Sequence, residues 1–218
     1  IFTVVLFHEF MHIVAARRYG FKVAGVEIFP FGGISRIDDL LASDPVKEIK
    51  IALAGPLGNF FLVLGAMLFN FVWGSSYWVS FFCRINLVLA AVNLLPALPL
   101  DGGRVARAIL SRRIGIKQAT IKIAYIGQVL AVTLGLFSIA GFLYGLISIN
   151  GILLAGFLFL AAREEGELST YIFLRYLSQK SRELKKRGVM NSKVLVVTPE
   201  TQLGDVVEFL LPKQYHLI

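Results

Sequence analysis

The sequence is poor in charged residues and contains almost no cysteine. Only 17% of its 218 residues are Asp, Glu, Lys or Arg, whereas soluble domains contain roughly 25%. The single cysteine, Cys83, excludes an intrachain disulfide, and we interpret it as a small buried side chain in an apolar run. The apolar start lacks the basic region and small-residue cleavage site of a secretory signal peptide. These absences argue against an ordinary soluble domain and against a disulfide-stabilised secreted one.

Long hydrophobic runs are abundant instead. Hydrophobic residues make up 56% of the chain, and the mean hydropathy is +0.73. A membrane-spanning helix needs about 20 apolar residues. We therefore predict an all-α, polytopic membrane protein that forms a helical bundle of about five spans, at residues 1–16, 51–73, 77–100, 123–142 and 145–162. Because the sequence begins inside an apolar run without Met, we expect residues 1–16 to be the surviving part of a longer span.

Basic residues are concentrated on one side of the predicted spans. Of the 22 Lys and Arg residues, 21 fall in the two loops 17–50 and 101–122 or after residue 162. Cytoplasmic loops of membrane proteins are enriched in Lys and Arg. We therefore place these loops and the C-terminus in the cytoplasm, and we do not attribute the net charge of +8 to nucleic acid. Arg84 is the exception, and it either snorkels outward, pairs within the bundle, or marks a later start of the third span.

The character of the sequence changes after Ala162. Residues 163–188 are rich in charge and predict a solvated linker helix. Beyond them, Lys193 to Val197 predicts a short β-strand, Thr201 a helix cap, and Leu203 to Leu211 an amphipathic helix. About 30 residues cannot bury a core of their own. We therefore predict that residues 189–218 are the start of a small α/β domain that the sequence leaves incomplete.

An H-E-x-x-H motif lies inside the first apolar run, at His8, Glu9 and His12. Residues four apart are separated by about 40° around a helix, so both imidazoles share one face, as a zinc ion requires. Glu9 is then placed to act as a general base on water. Two ordinary surface histidines are the alternative, but ionisable groups inside a span are costly and are functional candidates by default.

A catalytic zinc usually takes three protein ligands. Asp101 is the acidic residue at the end of a long predicted span. Arg17 and Arg18 lie shortly after His12, and Arg104 lies shortly after Asp101, which places Asp101 and His12 at a similar depth. We therefore predict Asp101 as the third ligand. The alternative is a simple Asp-Gly-Gly turn. The remaining histidine, His216, is interpreted as a loop residue.

Three further segments are unsuited to regular helices or carry small residues. Pro96 and Pro99 disrupt the end of the third span, where Asn93 either binds substrate or forms a hydrogen bond between helices. Residues 29–33, which include Phe31, Gly32 and Gly33, form either a re-entrant loop or strand that pairs with an extended substrate, or an ordinary interfacial turn. Residues 54–59, Ala-Gly-Pro-Leu-Gly-Asn, predict a close packing point between helices.

Together these motifs resemble the site-2 protease family of intramembrane zinc metalloproteases. The order H-E-x-x-H, A-G-P-x-x-N and N-x-x-P-x-x-P-L-D-G-G matches, and the Pro-Phe-Gly-Gly segment is similar to the branch that contains stage IV sporulation protein FB. The resemblance implies zinc ligands at His8, His12 and Asp101, the general base Glu9 and a substrate-facing Asn93. It covers residues 1–162 as the protease core.

The resemblance also implies partners and location. Residues 189–218 are similar to the opening of a CBS domain, a module that often binds an adenine nucleotide. The implied substrate is a membrane-tethered protein cleaved in or near its transmembrane segment. The implied location is the bacterial cytoplasmic membrane, where a homo-oligomer or regulatory membrane proteins are compatible with the family. A metal or proton transporter that uses the same His, Glu and Asp cluster is the main alternative, and a catalytically inactive scaffold is a second.

Overall fold

The computed structural model describes residues 2–21, 23–29, 32–37, 45–74, 76–146, 148–171, 173, 192–194, 196 and 215–217. Within these residues the helices are α1 (Phe2–Arg18), α2 (Pro45–Trp73), α3 (Tyr77–Asn93), α4 (Asp101–Ile114), α5 (Ile116–Leu143) and α6 (Asn150–Glu167). The strands are β1 (Val23–Phe29), β2 (Gly32–Ile37), β3 (Ser192–Val194) and β4 (Tyr215–Leu217). The predominantly helical fold predicted from the sequence is confirmed.

Helix α2 lies at the centre of the packing. It contacts α1, α3 and α4, and α5 joins α4 to α6. Pro56 lies inside α2, which continues through it over 29 residues. This arrangement brings residues near the start of the chain against residues about 90 positions later.

Two of the described helices are long and apolar enough to cross a membrane, namely Pro45–Val72 and Ile116–Leu143. Only 39% and 22% of their most apolar stretches are buried, whereas the core helix of a soluble protein would be mostly buried. The shorter apolar helix α3 has 17 residues, and α1 also has 17. Arg84 on α3 is exposed and therefore does not lie inside the bundle.

The third predicted span is shorter than expected. It was predicted to run to residue 100, but α3 ends at Asn93, and residues 94–100 form a series of turns. The physical reason is the pair Pro96 and Pro99, which cannot donate helical hydrogen bonds. The unwound segment predicted from these prolines is confirmed.

Helix α4 corrects a second prediction. Residues 101–122 were expected to form a loop, but they form α4 and the start of α5, separated by Gly115 with a φ of 81°. Helix α4 buries Asp101, Gly102, Gly103, Arg107, Ala108 and Ser111, while Arg112 and Arg113 stay exposed. This spacing gives α4 one buried face that packs on α2 and α5.

Strands β1 and β2 form an antiparallel hairpin, an element that the all-α class did not include. Phe29 pairs with Gly32 and Ile28 with Gly33. Phe29, Gly32 and Gly33 are strand residues, and the pairing of this segment with an extended substrate stays a prediction. Strand β2 also contacts α1. Phe31 lies outside the described residues.

The C-terminal strands β3 and β4 are parallel, with Lys193 opposite His216. Strand β3 begins one residue before the predicted strand. His216 lies in β4, so its interpretation as a loop residue is wrong. The predicted helix at Leu203 to Leu211, its cap Thr201 and most of the linker helix lie outside the described residues. Parallel strands require a crossover connection of about a dozen residues or more, and 20 residues separate this pair.

Candidate metal centre

One face of α1 carries both histidines. Its buried residues are Val4, His8, His12 and Ala16, which recur every four positions. Side chains with this spacing lie above one another on a helix. Ala16 packs on Ile51 of α2, which holds this face of α1 against the centre of the bundle.

Asp101 completes a three-residue cluster. Its Oδ2 lies 3.0 Å from His8 Nε2 and 3.1 Å from His12 Nε2, and the two Nε2 atoms are 3.1 Å apart. All three side chains are buried. Ligand atoms in a tetrahedral zinc site with bonds of ~2.0–2.1 Å are separated by about 3.3–3.4 Å, close to the observed triangle. The cluster therefore fits a zinc ion.

The second nitrogen of each histidine has its own partner. His12 Nδ1 lies 2.8 Å from the carbonyl oxygen of Ile51. Because a carbonyl can only accept, Nδ1 carries the proton and Nε2 is left free to bind a metal. His8 Nδ1 lies 3.2 Å from the amide nitrogen of Asn59. Both partners come from α2.

Gly55 provides the space in which the histidines lie. A Cβ atom at this position would lie 2.7 Å from Cε1 of His8 and would overlap Nε2 of His12. One turn later, a Cβ at Gly58 would lie 2.5 Å from Cγ of Met11. The close packing point predicted at residues 54–59 is therefore confirmed, and it lies directly beneath the metal ligands.

Asp101 is held at the first turn of α4 by tight backbone packing. A Cβ at Gly102 would overlap the carbonyl oxygen of Leu94, and one at Gly103 would overlap Ala97. On α5, a Cβ at Gly127 would overlap the carbonyl oxygen of Leu98. The turns at residues 94–100 are thus enclosed between α4 and α5, which fixes the start of α4 and with it Asp101.

The other predicted site residues are not part of the buried cluster of His8, His12 and Asp101. Glu9 is partly exposed beside the cluster on α1. Asn93 donates through Nδ2 to the carbonyl oxygen of Leu89 in its own helix, at 3.1 Å. Gly32 and Gly33 lie at the start of β2. Phe31 is outside the part of the chain that the structure describes.

Sequence reasoning missed three polar residues near this site. Asn59 was predicted only to take part in helix packing, although it is fully buried and contacts His8. Glu48 and Arg107 fall in the predicted loops 17–50 and 101–122, but they are buried and form an ion pair. The signal that the sequence offers for Asn59 is a polar amide within a long apolar run.

The chain is similar to a known family and to several known proteins. The family model described as Peptidase family M50 matches residues 1–74 and 70–134. A zinc metalloprotease of Methanocaldococcus jannaschii is 30% identical over 219 residues, covering 99% of this chain and 60% of that protein. Stage IV sporulation protein FB of Bacillus subtilis is 30% identical over 192 residues, covering 84% of this chain and 64% of that protein.

A solved structure is also similar. The site-2 protease from Methanocaldococcus jannaschii is 33% identical, with a TM-score of 0.62, over 76% of this chain and 74% of that one. The chain spans under two thirds of the length of the two relatives compared above. The match to the family model covers more than half of the chain and includes both histidines and Asp101. The chain therefore belongs to peptidase family M50, the site-2 protease family.

Proposed function

We propose that this chain is the core of an intramembrane zinc metalloprotease that hydrolyses a peptide bond in or near the transmembrane segment of a membrane-tethered protein. The observation that carries the proposal is the buried triangle of His8 Nε2, His12 Nε2 and Asp101 Oδ2, with edges of 3.0–3.1 Å. The residues of this triangle would hold one zinc ion. Glu9 follows His8 directly on the same helix.

The chemistry divides between the metal and the side chains. When bound, zinc acts as a Lewis acid toward the scissile carbonyl and lowers the pKa of water. Glu9 accepts a proton from the attacking water and delivers it to the departing amide nitrogen. The Ile51 carbonyl keeps the proton of His12 on Nδ1, so the lone pair of Nε2 would be available to the metal.

A substrate helix must unwind before it can be cut, because its amides are bonded internally. We propose that the hairpin and Asn93 receive the unwound segment. Strand β2 contacts α1, the helix that carries the histidines, and an extended peptide can add to the edge of such a hairpin. Gly32 and Gly33 in β2, together with Phe31, would contact the added strand. Asn93 would bind it through its amide.

The topology we propose is multi-pass. Residues 1–162 form the protease core with about five spans in the bacterial cytoplasmic membrane. Many apolar side chains on α2 and α5 are exposed, among them Phe61, Leu68, Phe71, Leu136 and Phe137, and their favourable environment is lipid. The basic residues after the fifth span place the C-terminus in the cytoplasm.

For the remainder of the chain we propose a linker at residues 163–188 and a partial CBS domain at 189–218. The parallel pairing of β3 with β4 is compatible with the strand-helix-strand order of such a domain. An adenine nucleotide would bind only the completed domain. We propose regulatory membrane proteins and self-association as further partners on the basis of the family alone.

The experiment that tests the protease function is cleavage of a membrane-tethered substrate by the full-length protein in liposomes. Wild type is compared with Glu9→Gln while bound zinc is measured. We expect both proteins to hold one zinc and only wild type to cleave. Equal cleavage by both would exclude Glu9 as the base. Metal flux into the liposomes that is insensitive to Glu9→Gln, without cleavage, would favour a transporter.

A further inference from the structure

Asn59 is the polar residue of α2 that faces the metal cluster. It is fully buried, and its Nδ2 lies 3.2 Å from His8 Nδ1. Its Oδ1 is also buried and has no hydrogen-bond partner among the described residues. A buried amide with one unused acceptor is costly unless another arrangement uses it.

The hydrogen bonds around His8 define one tautomer. With Nδ2 of Asn59 donating to Nδ1, the imidazole proton lies on Nε2 and is donated to Asp101 Oδ2 at 3.0 Å. Nε2 in this form has no lone pair for a metal. His12 differs, because the Ile51 carbonyl already holds its proton on Nδ1. The two histidines are therefore not equally prepared to bind zinc.

For His8 to bind a metal through Nε2, its proton must move to Nδ1. The neutral imidazole carries one proton before and after this change, so no proton is gained or lost by the ring. Nδ1 then becomes a donor and needs an acceptor in place of the Asn59 NH2 group. Rotation of the Asn59 amide by 180° brings the unused Oδ1 into that position.

We propose that Asn59 is a positioning residue that turns its amide over and presents Oδ1 to His8 Nδ1–H, which fixes His8 in the tautomer that binds zinc. This inference rests on the proposed zinc-dependent function. This role explains why the polar side chain of Asn59 is completely buried in a helix that is apolar enough to span a membrane. Partners of this kind affect metal affinity by about 10–100-fold.

Two substitutions separate this role from packing. Asn59→Leu preserves size but has no acceptor, and we expect zinc affinity to fall about 10–100-fold. Asn59→Asp has an acceptor in either orientation, and we expect it to retain affinity within about threefold of wild type. If Asn59 only filled space, Leu would be tolerated in an apolar helix and Asp would be the harmful change.

Asn86 on α3 provides a matched control. It is also 0% exposed, and its Oδ1 likewise has no partner in the described part of the chain, but its Nδ2 donates to Phe82 within its own helix. We expect Asn86→Leu to leave zinc affinity unchanged. Any general effect of removing a buried amide from the bundle would appear in this variant as well.

The measurement is competition for zinc between the purified full-length proteins and a chromophoric chelator, together with the absorption spectrum of the cobalt-substituted forms. Weak binding by Asn59→Leu with retention by Asn59→Asp supports the proposal. Wild-type affinity in Asn59→Leu, or equal losses in the Leu and Asp variants, overturns it. If wild type itself holds no stoichiometric zinc, the proposed function falls and this inference falls with it.

Discussion

Arg107 of α4 and Glu48 of α2 form an ion pair in the interior, with Nη2 and Oε1 2.6 Å apart and side chains only 1% and 3% exposed. Nε of Arg107 also donates to the same carboxylate oxygen at 3.1 Å. Nη1 lies 3.6 Å from Glu165 on α6. The guanidinium thus ties together α2, α4 and α6, and α4 is the helix that begins with Asp101.

We expect Arg107→Leu to lower the free energy of unfolding by about 3–5 kcal/mol, because it leaves the buried carboxylate of Glu48 unpaired. The double variant Glu48→Leu with Arg107→Leu should recover most of this loss, since it removes both charges. Thermal unfolding in detergent measures both effects. Glu167→Gln breaks the exposed pair with Arg163 and should change stability little. A double variant as unstable as the single one would contradict the explanation.

The pH dependence of this ion pair follows from the Arg107 pKa. Burial lowers the pKa of Arg107, but the carboxylates of Glu48 and Glu165 raise it by more, so the pKa of Arg107 lies above its ordinary value. Because the pKa is raised on folding, the stabilisation is fully present at every pH below the pKa of a free guanidinium. It is lost only as the pH rises above that pKa. We therefore expect the difference in stability between wild type and the double variant Glu48→Leu with Arg107→Leu to stay constant between pH 7 and 9, because neither member of the pair titrates in that variant. A steady decline over that range would contradict it.

Gly55→Ala should abolish high-affinity zinc binding, because the added methyl group would overlap His12 Nε2. We expect a loss in affinity of roughly 100-fold or more, at least as large as the loss of a supporting hydrogen bond. Gly65→Ala on the same helix is the control, since a Cβ there meets nothing within 4 Å. Chelator competition distinguishes the two. Equal zinc affinity in both variants would show that α2 can move away from the histidines.

Zinc removal should lower the thermal stability of the wild-type chain. A ligand at 100 times its dissociation constant stabilises the folded state by about 2.7 kcal/mol, and the site joins helices 93 residues apart. We therefore expect a chelator to lower the melting temperature of wild type but not of His12→Ala. The comparison uses detergent-solubilised protein with and without chelator. A chelator effect of the same size in His12→Ala would place the stabilising metal elsewhere.

Gly127→Ala tests whether the turns at residues 94–100 hold Asp101 in place. The added Cβ would overlap the Leu98 carbonyl oxygen and push this segment toward α4. We expect proteolytic activity to fall about 10–100-fold, as for other displaced supports of a metal ligand. Gly156→Ala on α6 meets nothing within 4 Å and serves as the control. Unchanged activity in Gly127→Ala would mean that the segment adjusts without moving Asp101.

The cluster of His8, His12 and Asp101 could be predicted from the sequence because its chemistry is local or unusual. His8 and His12 share a helical face by spacing alone, and Asp101 is an acidic residue at the end of an apolar run. The end of α3 at Asn93 was not predicted from the sequence, although Pro96 and Pro99 indicated that the helix unwinds. The helical character of α4 was missed because its basic residues suggested a loop.

The supporting contacts could not be predicted, since they depend on how helices are rotated against one another. Glu48 and Arg107 are 59 residues apart in the sequence, and each is a charged residue of a type that is ordinarily exposed. The contact of Asn59 with His8 depends on which face of α2 meets α1. The predictions for Asn93, Phe31, Gly32 and Gly33 as substrate-binding residues stay predictions.

The position of Asp101 on the fourth helix has a consequence for biosynthesis. The two histidines are translated first, Ile51 and Asn59 follow, and the third ligand appears 93 residues after His8. At ~5–20 residues per second, this leaves an interval of roughly 5–20 s in which a nascent chain holds only two of three ligands. A growing chain therefore cannot bring the three side chains of this cluster together until α3 and the start of α4 have been made.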